Sequence, residues 1–242
     1  MIKAVLLDLD ETLLKNPPSQ FVKTYVSKLV YYLQQHFPHI ESAVFLDSIY
    51  QSTKSTIENQ DALRFNADVF YDEITTQTNL TRSDITPIIQ NFLQEIYPTF
   101  RDLTQVIPTA KPLVEWLLAH NYAVAIATNP LFPHQATIQR VQWAGIHVDK
   151  VWFISSLDNT HFTKPHAAYY EEILSRLGFE PDEAIMIGDD WENDIVPAAN
   201  AGLNTYWVNP IGASHPLTDT IVVNGIGTLE DLWQAITKEN WL

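Results

Sequence analysis

The sequence predicts an α/β fold in which a doubly wound parallel sheet carries a large helical insertion. Three observations predict it. Short apolar runs rich in β-branched and aromatic residues recur along the chain, helical patterns alternate with them in its second half, and one stretch near the start is almost wholly helical in pattern. Runs that are apolar on both faces are what strands buried in a parallel sheet look like, and strand–helix alternation implies βαβ units.

The first run is Ala4–Leu7. Beyond it, Phe21 to Phe37 carries Val22, Tyr25, Val26, Leu29, Val30 and Leu33 at helical spacing, and further periodic segments cover Ser42–Glu58, Ala67–Gln77 and Ser83–Tyr97. These define a helical domain over residues 16–105 with a small core of its own, entered near Pro17-Pro18 and left near Pro98 and Pro108. Residues 1–15 and 106–242 form the sheet-based core. There the strand-like runs are Ala123–Ala127, Val151–Ile154, Ala184–Ile187 and Thr205–Val208, with a weaker Ile221–Val223. Helical patterns lie between them at Lys111–His120, His134–Ala144, Ala167–Leu177 and Asn193–Ala201. Gly145, Gly178 and Gly202 stand where helix-stopping residues belong.

Composition narrows the function. Hydrophobic residues are 46% of the 242, enough to fill a core, and 29 acids against 14 Lys and Arg give a formal charge of −15. Such a surface repels nucleic acid and anionic lipid, so neither is an expected partner. A phosphate site on this chain therefore needs a metal or a lysine to reverse the local sign. With no cysteine, disulfides and thiolate chemistry are excluded. No run approaches the ~20 apolar residues of a membrane span, and the apolar start is too short for a signal peptide, so a cytoplasmic protein is expected. No feature calls for a particular oligomeric state. The eight histidines lack metal-site spacing, and no Gly-X-Ser-X-Gly, Walker or Gly-X-Gly-X-X-Gly sequence occurs.

Ligands of such sheets bind outside the carboxyl ends of the strands. Asp8-Leu9-Asp10-Glu11-Thr12 follows the first run, Thr128-Asn129-Pro130 the second, Lys164-Pro165 the third after a loop, and Gly188-Asp189-Asp190-Trp191-Glu192-Asn193-Asp194 the fourth. Taken singly, each has a plain reading: Asp8 and Asp10 as turn formers, Thr128-Asn129 as a turn before proline, Lys164 as a solvated charge, Asp189 and Asp190 as helix N-caps. Taken together, acids clustered on one rim would repel each other unless a cation sat among them. The set fits phosphoryl transfer: a carboxylate nucleophile, a second carboxylate for the proton, Mg2+ on oxygen ligands, and a lysine for the phosphoryl oxygens.

These four segments, in this order and strand context, resemble the four motifs of the haloacid dehalogenase superfamily. The resemblance implies a Rossmann-like core with a helical cap of the first type, and hydrolysis of a phosphate ester. It implies Asp8 as nucleophile and Asp10 as acid/base. Mg2+ would be bound by the Asp8 carboxylate, the Asp10 carbonyl and Asp189, and the phosphoryl oxygens held by Thr128, Asn129 and Lys164. Thr12, Asp190 and Asp194 would support from behind. Two positions depart from the commonest pattern: Glu11 stands where glycine is frequent, and Asp190 where serine or threonine is frequent. The second departure leaves open which of Asp189 and Asp190 meets the metal, with Asp189 favoured. The stretch Asp189–Val208, with Ala201-Gly202 and Trp207-Val208-Asn209, is similar to members acting on small phosphorylated metabolites such as nucleotides, sugar phosphates and phosphoglycolate. A phosphomutase of the same superfamily and a non-catalytic binding protein on this scaffold are the alternatives. Asp10 disfavours a dehalogenase, which needs no acid there. The basic residues of the insertion, Lys23, Lys54, Arg64, Arg82 and Arg101, are read as solvated helix faces rather than substrate contacts.

Overall fold

A computed structural model of the chain describes residues 1–209, 221, 223–239 and 241, with the side chain of Glu239 left aside. Strand β1 (Ala4–Leu7) leads into the two-residue β2 (Leu14–Lys15), then helices α1 (Pro18–His36), α2 (Ser42–Glu58), α3 (Asn66–Thr78) and α4 (Arg82–Glu95). A 3-10 segment, Tyr97–Leu103, precedes β3 (Gln105–Val106). The chain continues as α5 (Ala110–Ala119), β4 (Ala123–Ile126), α6 (His134–Trp143), β5 (Phe153–Ile154), α7 (Ala167–Leu177) and β6 (Ala184–Gly188). A π-helical turn, Trp191–Ile195, opens α8 (Val196–Asn200), followed by β7 (Asn204–Val208), β8 (Gly225–Gly227) and α9 (Leu229–Glu239).

Six strands form one parallel sheet in the order β5-β4-β1-β6-β7-β8. That is the Rossmann-like arrangement, in which the chain reverses direction of growth beside the first strand. β1 is central: Ala4 to Leu7 pair with Ala123 to Ile126 on one side and Ala184 to Ile187 on the other. Alternation splits its side chains between two buried layers. Val5 and Leu7 join one apolar cluster with Val124, Ile126, Ile185 and Ile187, while Ala4 and Leu6 face Tyr169, Tyr170, Ile173 and Leu174 of α7.

Three expectations need correction. The helices of the insertion do not enclose a separate core: Phe21, Leu33, Phe45, Ile74 and Phe92 belong to the same continuous cluster as Val5 and Leu7. The sixth strand is not at Ile221–Val223. Val222 lies outside the described residues, Ile221 and Val223 are not in a strand, and the strand forms at Gly225–Gly227. Asn193 to Ala201 is not one α-helix, since its first part is the π-helical turn. The two crossings into and out of the insertion lie side by side as an antiparallel pair, Leu14 opposite Val106 and Lys15 opposite Gln105. Among the described residues no helix is long and apolar enough to cross a membrane.

Gly145, Gly178 and Gly202 follow their helices with φ of +81°, +78° and +86°. A Cβ on Gly178 would meet nothing within 4 Å, so only the left-handed backbone resists a side chain there. Gly178→Ala is therefore expected to cost about 1 kcal/mol of stability in urea unfolding without altering the site. A loss of several kcal/mol would mean that packing, not backbone conformation, sets this position.

Candidate active site

The pairing of β1 with its neighbours extends past the strand ends. The Asp8 N–H donates to the Ile187 carbonyl at 2.9 Å, and the Ala127 N–H donates to the Leu7 carbonyl at 2.7 Å. Asp8, Thr128 and Asp189 are thereby brought to one rim. A pocket of ≈ 230 Å³ opens there, lined by Asp8, Asp10, Thr128, Asn129, Lys164, Asp189 and Asp194, with Pro18 and Val22 of α1 on the far wall. Asp190 lines the same pocket, so the residues named from the strand ends meet in one place, with Thr12 behind Asp189.

Carboxylate oxygens of Asp8, Asp189 and Asp194 all lie within 4.8 Å of one another. Lys164, 2% exposed, reaches into them and donates to Asp8 Oδ1 at 2.7 Å and Asp194 Oδ1 at 2.5 Å. Thr12 donates to Asp189 Oδ1 at 2.9 Å, and the Asp190 N–H donates to Asp194 Oδ2 at 3.1 Å. Gly188 makes room for this packing, because a Cβ there would lie 2.2 Å from Asp194 Oδ2. The Asp190 carboxylate turns outward and caps the π-helical turn, accepting from the Glu192 and Asn193 amides at 3.0 Å each. Both acids of the pair line the pocket, and the carboxylate of the second is also engaged as a cap.

The electrostatics follow from burial. Asp8 is pushed up to about 7, first by burial and then by Asp194, with Lys164 pulling the other way. Burial and the neighbouring Asp8 carry Asp189 to about 7, and burial carries Asp194 to about 6 against the pull of Lys164. Burial would lower the Lys164 ammonium, yet Asp194 and Asp8 outweigh it and hold it well above its ordinary value. The site thus holds more carboxylate than its lysine can offset. An oxygen-rich, buried donor set with surplus negative charge fits a hard divalent cation.

Asp10 stands apart from this cluster. Its Oδ1 accepts from Asn16 Nδ2 at 2.7 Å, and its Oδ2 is paired with the Arg140 guanidinium. Arg140, 1% exposed, was not singled out from the sequence. Its signal was positional: Ala136, Arg140 and Ala144 recur at four-residue spacing, so a guanidinium falls on the buried stripe of α6. The group lies over the Phe132 ring, 4.5 Å from its centroid. Burial alone would lower Arg140, but Asp10 and Tyr97 keep it raised.

Glu11 has φ +64°, which accounts for glycine being frequent at this position. Its side chain is tied down, accepting from the Asn16 amide at 2.6 Å and pairing with Lys15 at 3.1 Å. Asn129 leaves its Oδ1 buried and without a partner among the described residues.

The family model for haloacid dehalogenase-like hydrolases matches residues 2–202. The chain is 27% identical to the ribulose-1,5-bisphosphate 5-phosphatase of Halopiger xanaduensis, covering 98% of this chain and 100% of that one. It is 24% identical to pyrophosphatase PpaX of Bacillus cereus (strain AH820), covering 84% and 82%. Over 44% of each chain it is 34% identical to the pyrimidine 5'-nucleotidase PynA of Streptococcus pneumoniae. Among solved structures, the fold is shared with a phosphatase from Thermococcus onnurineus (TM-score 0.60, 19% identity, 98% of both chains). It is also shared with a 2-haloacid dehalogenase from Pseudomonas syringae pv. Tomato DC3000 (TM-score 0.65, 20% identity, 100% of both). Since the family match runs from the first strand past the last acidic motif, the chain belongs to the haloacid dehalogenase-like hydrolases.

Proposed function

We propose that this hydrolase is a magnesium-dependent phosphatase that cleaves phosphate monoesters of small metabolites through an aspartyl-phosphate on Asp8. The observation that carries the proposal is the convergence of Asp8, Asp189 and Asp194 around Lys164 at a pocket walled by Thr128 and Asn129. The reaction class draws support from relatives named for hydrolysis of pyrophosphate, a sugar bisphosphate and nucleotides.

Asp8 and Asp189 are the carboxylates best placed to hold Mg2+, with the Asp10 carbonyl, because each has one oxygen not taken by a side-chain donor. Asp194 has both oxygens engaged, by Lys164 and the Asp190 amide, and serves to hold the lysine in place. When bound, the ion supplies positive charge that offsets the transferring phosphoryl group. In the reaction proposed, an Asp8 oxygen forms the new bond to phosphorus as the ester P–O bond breaks. Lys164, Thr128 and the Asn129 amide hold the equatorial oxygens. Asp10 gives a proton to the departing alkoxide and then takes one from the water that hydrolyses the aspartyl-phosphate. For the first of these steps Asp10 carries a proton, held on a lone pair that neither Arg140 nor Asn16 engages. Residues 16–105 act as the cap over a core of residues 1–15 and 106–242, with Pro18 and Val22 presented to the pocket.

Native protein with Mg2+ should release inorganic phosphate from members of a panel of phosphorylated metabolites, and Asp8→Asn should fall by ~10³-fold or more. An Asn variant as fast as the native protein would remove Asp8 as nucleophile. Asp10→Asn should cost ~10²–10⁴-fold on alkyl phosphates but far less on p-nitrophenyl phosphate, whose leaving group needs no proton. Equal losses on both substrates would remove the acid role.

Metal binding should depend on pH in a set direction. The three carboxylates are raised from 3.8 to about 7, 7 and 6, so their contribution to folded stability is complete below pH ~4 and is lost as pH rises through 6 to 7. A cation that takes the place of those protons should therefore stabilise most once they have left. The rise in Tm on adding Mg2+ is expected to be larger at pH 8 than at pH 5. An equal or larger rise at pH 5 would contradict a carboxylate metal site.

A further inference from the structure

A second cavity, of ≈ 100 Å³, lies beside the pocket of Asp8 and shares Val22, Leu131 and Phe132 with it. One water needs only ~10–15 Å³ by such a measure, so the space suits a ring or a branched chain. Its deeper wall includes Leu29, Ile49, Phe70 and Ile89, and no Lys, Arg, His, Asp or Glu lines it. Of the insertion's cations, Arg64 is paired with Asp72 and Arg82 with Asp68, both at 2.6 Å, and neither lines this cavity. The Tyr25 hydroxyl makes no hydrogen bond among the described residues, although the residue is only 9% exposed and lines the cavity.

We infer that this cavity receives the leaving group of the substrate, and that the leaving group is apolar or aromatic and uncharged, with at most a hydroxyl-sized polar contact. The inference rests on the phosphatase reading above. A group joined to phosphorus at Asp8 can extend past Val22 and Phe132 into the cavity, which the aromatic side chains of Tyr25, Phe70, Tyr71 and Phe132 line. A second phosphate or a carboxylate entering the same space would lose its water and find no cation in the lining, because Arg82 and Arg140 lie against the Tyr71 and Phe132 rings and are not themselves lining residues. The preference therefore comes from rejection of anions as much as from attraction of rings.

The test compares kcat/KM with Mg2+ for 4-methylbenzyl phosphate and 4-carboxybenzyl phosphate, which differ in charge at the far end of the leaving group. The native protein should prefer the methyl compound by ~10-fold or more. Val22, 39% exposed at the mouth, tolerates a longer side chain, so Val22→Lys should fold, as checked by its melting curve. This variant should narrow or invert the preference by improving the carboxylated substrate. Equal or faster native turnover of the carboxylated compound, or a ratio unmoved in Val22→Lys, overturns the inference while leaving the phosphatase reading in place. Release of phosphate from neither compound nor from any metabolite overturns both.

Discussion

The buried ammonium of Lys164 is the charge around which the rest of the site is arranged. It sits between Asp8 and Asp194, and without it three converging carboxylates would be left in a buried space with no positive partner. Placing it requires several elements at once. Asp8 needs the central position of β1, Asp194 needs the π-helical turn and the missing Cβ of Gly188, and Lys164 needs the loop before α7. α7 then binds two of the other loops with consecutive side chains. Tyr169 donates to the Thr128 carbonyl at 2.7 Å, and Tyr170 donates to the Asn193 carbonyl at 2.6 Å. A helix covering one face of the sheet is thus also what fixes the rim.

A second ionic pair ties the rim to the insertion. Arg140 holds Asp10, lies on Phe132, and Phe132 meets Tyr25 of α1 with ring centroids 4.9 Å apart. Trp143, three residues on, stacks on Tyr97 at 5.4 Å. The carboxylate proposed to move protons is thereby linked, through Arg140 and Phe132, to the helices proposed to cover the site. Burial of the guanidinium is costly, and its Nε and Nη2 have no partner among the described residues, so Asp10 is the interaction that offsets the cost.

How much of this was legible in the sequence varies with the physics behind each part. β1, β4, β6 and β7 are apolar on both faces, a signal that needs no knowledge of partners, and the residues after them were readable as a rim. The insertion's helices were readable for the same reason, since each repeats apolar residues at helical spacing. β2 and β3 are two residues long, so their pairing depends on tertiary contact that no local pattern carries. β8 is Gly225-Ile226-Gly227, a sequence of low strand propensity that pairs, among the described residues, with β7 alone. The shared core was hidden because periodicity reports that a face is buried and not against what. Arg140 was hidden because a charge on a buried stripe becomes meaningful only once its partner, 130 residues earlier, is in place. Asp190 shows the opposite case: the plain reading of a helix cap is met, at a residue that also lines the pocket.

Asp8 and Asp10 are the same residue type two positions apart, yet the fold gives them different surroundings, which fit the different roles proposed for them. Among side chains, the Asp8 carboxylate has a single described donor, Lys164, which takes one oxygen and leaves the other toward the pocket. That suits an atom that must meet phosphorus. The Asp10 carboxylate has both oxygens taken, one by Asn16 and one by Arg140, and neither donor reaches Asp8. A carboxylate oriented by a donor on each oxygen is poorly placed to attack, yet it keeps lone pairs with which to exchange a proton. The difference follows from backbone geometry: after Asp8 the chain leaves β1, and at Glu11 it takes a left-handed turn that carries Asn16 back toward Asp10. Two identical side chains are separated chemically by where the strand stops.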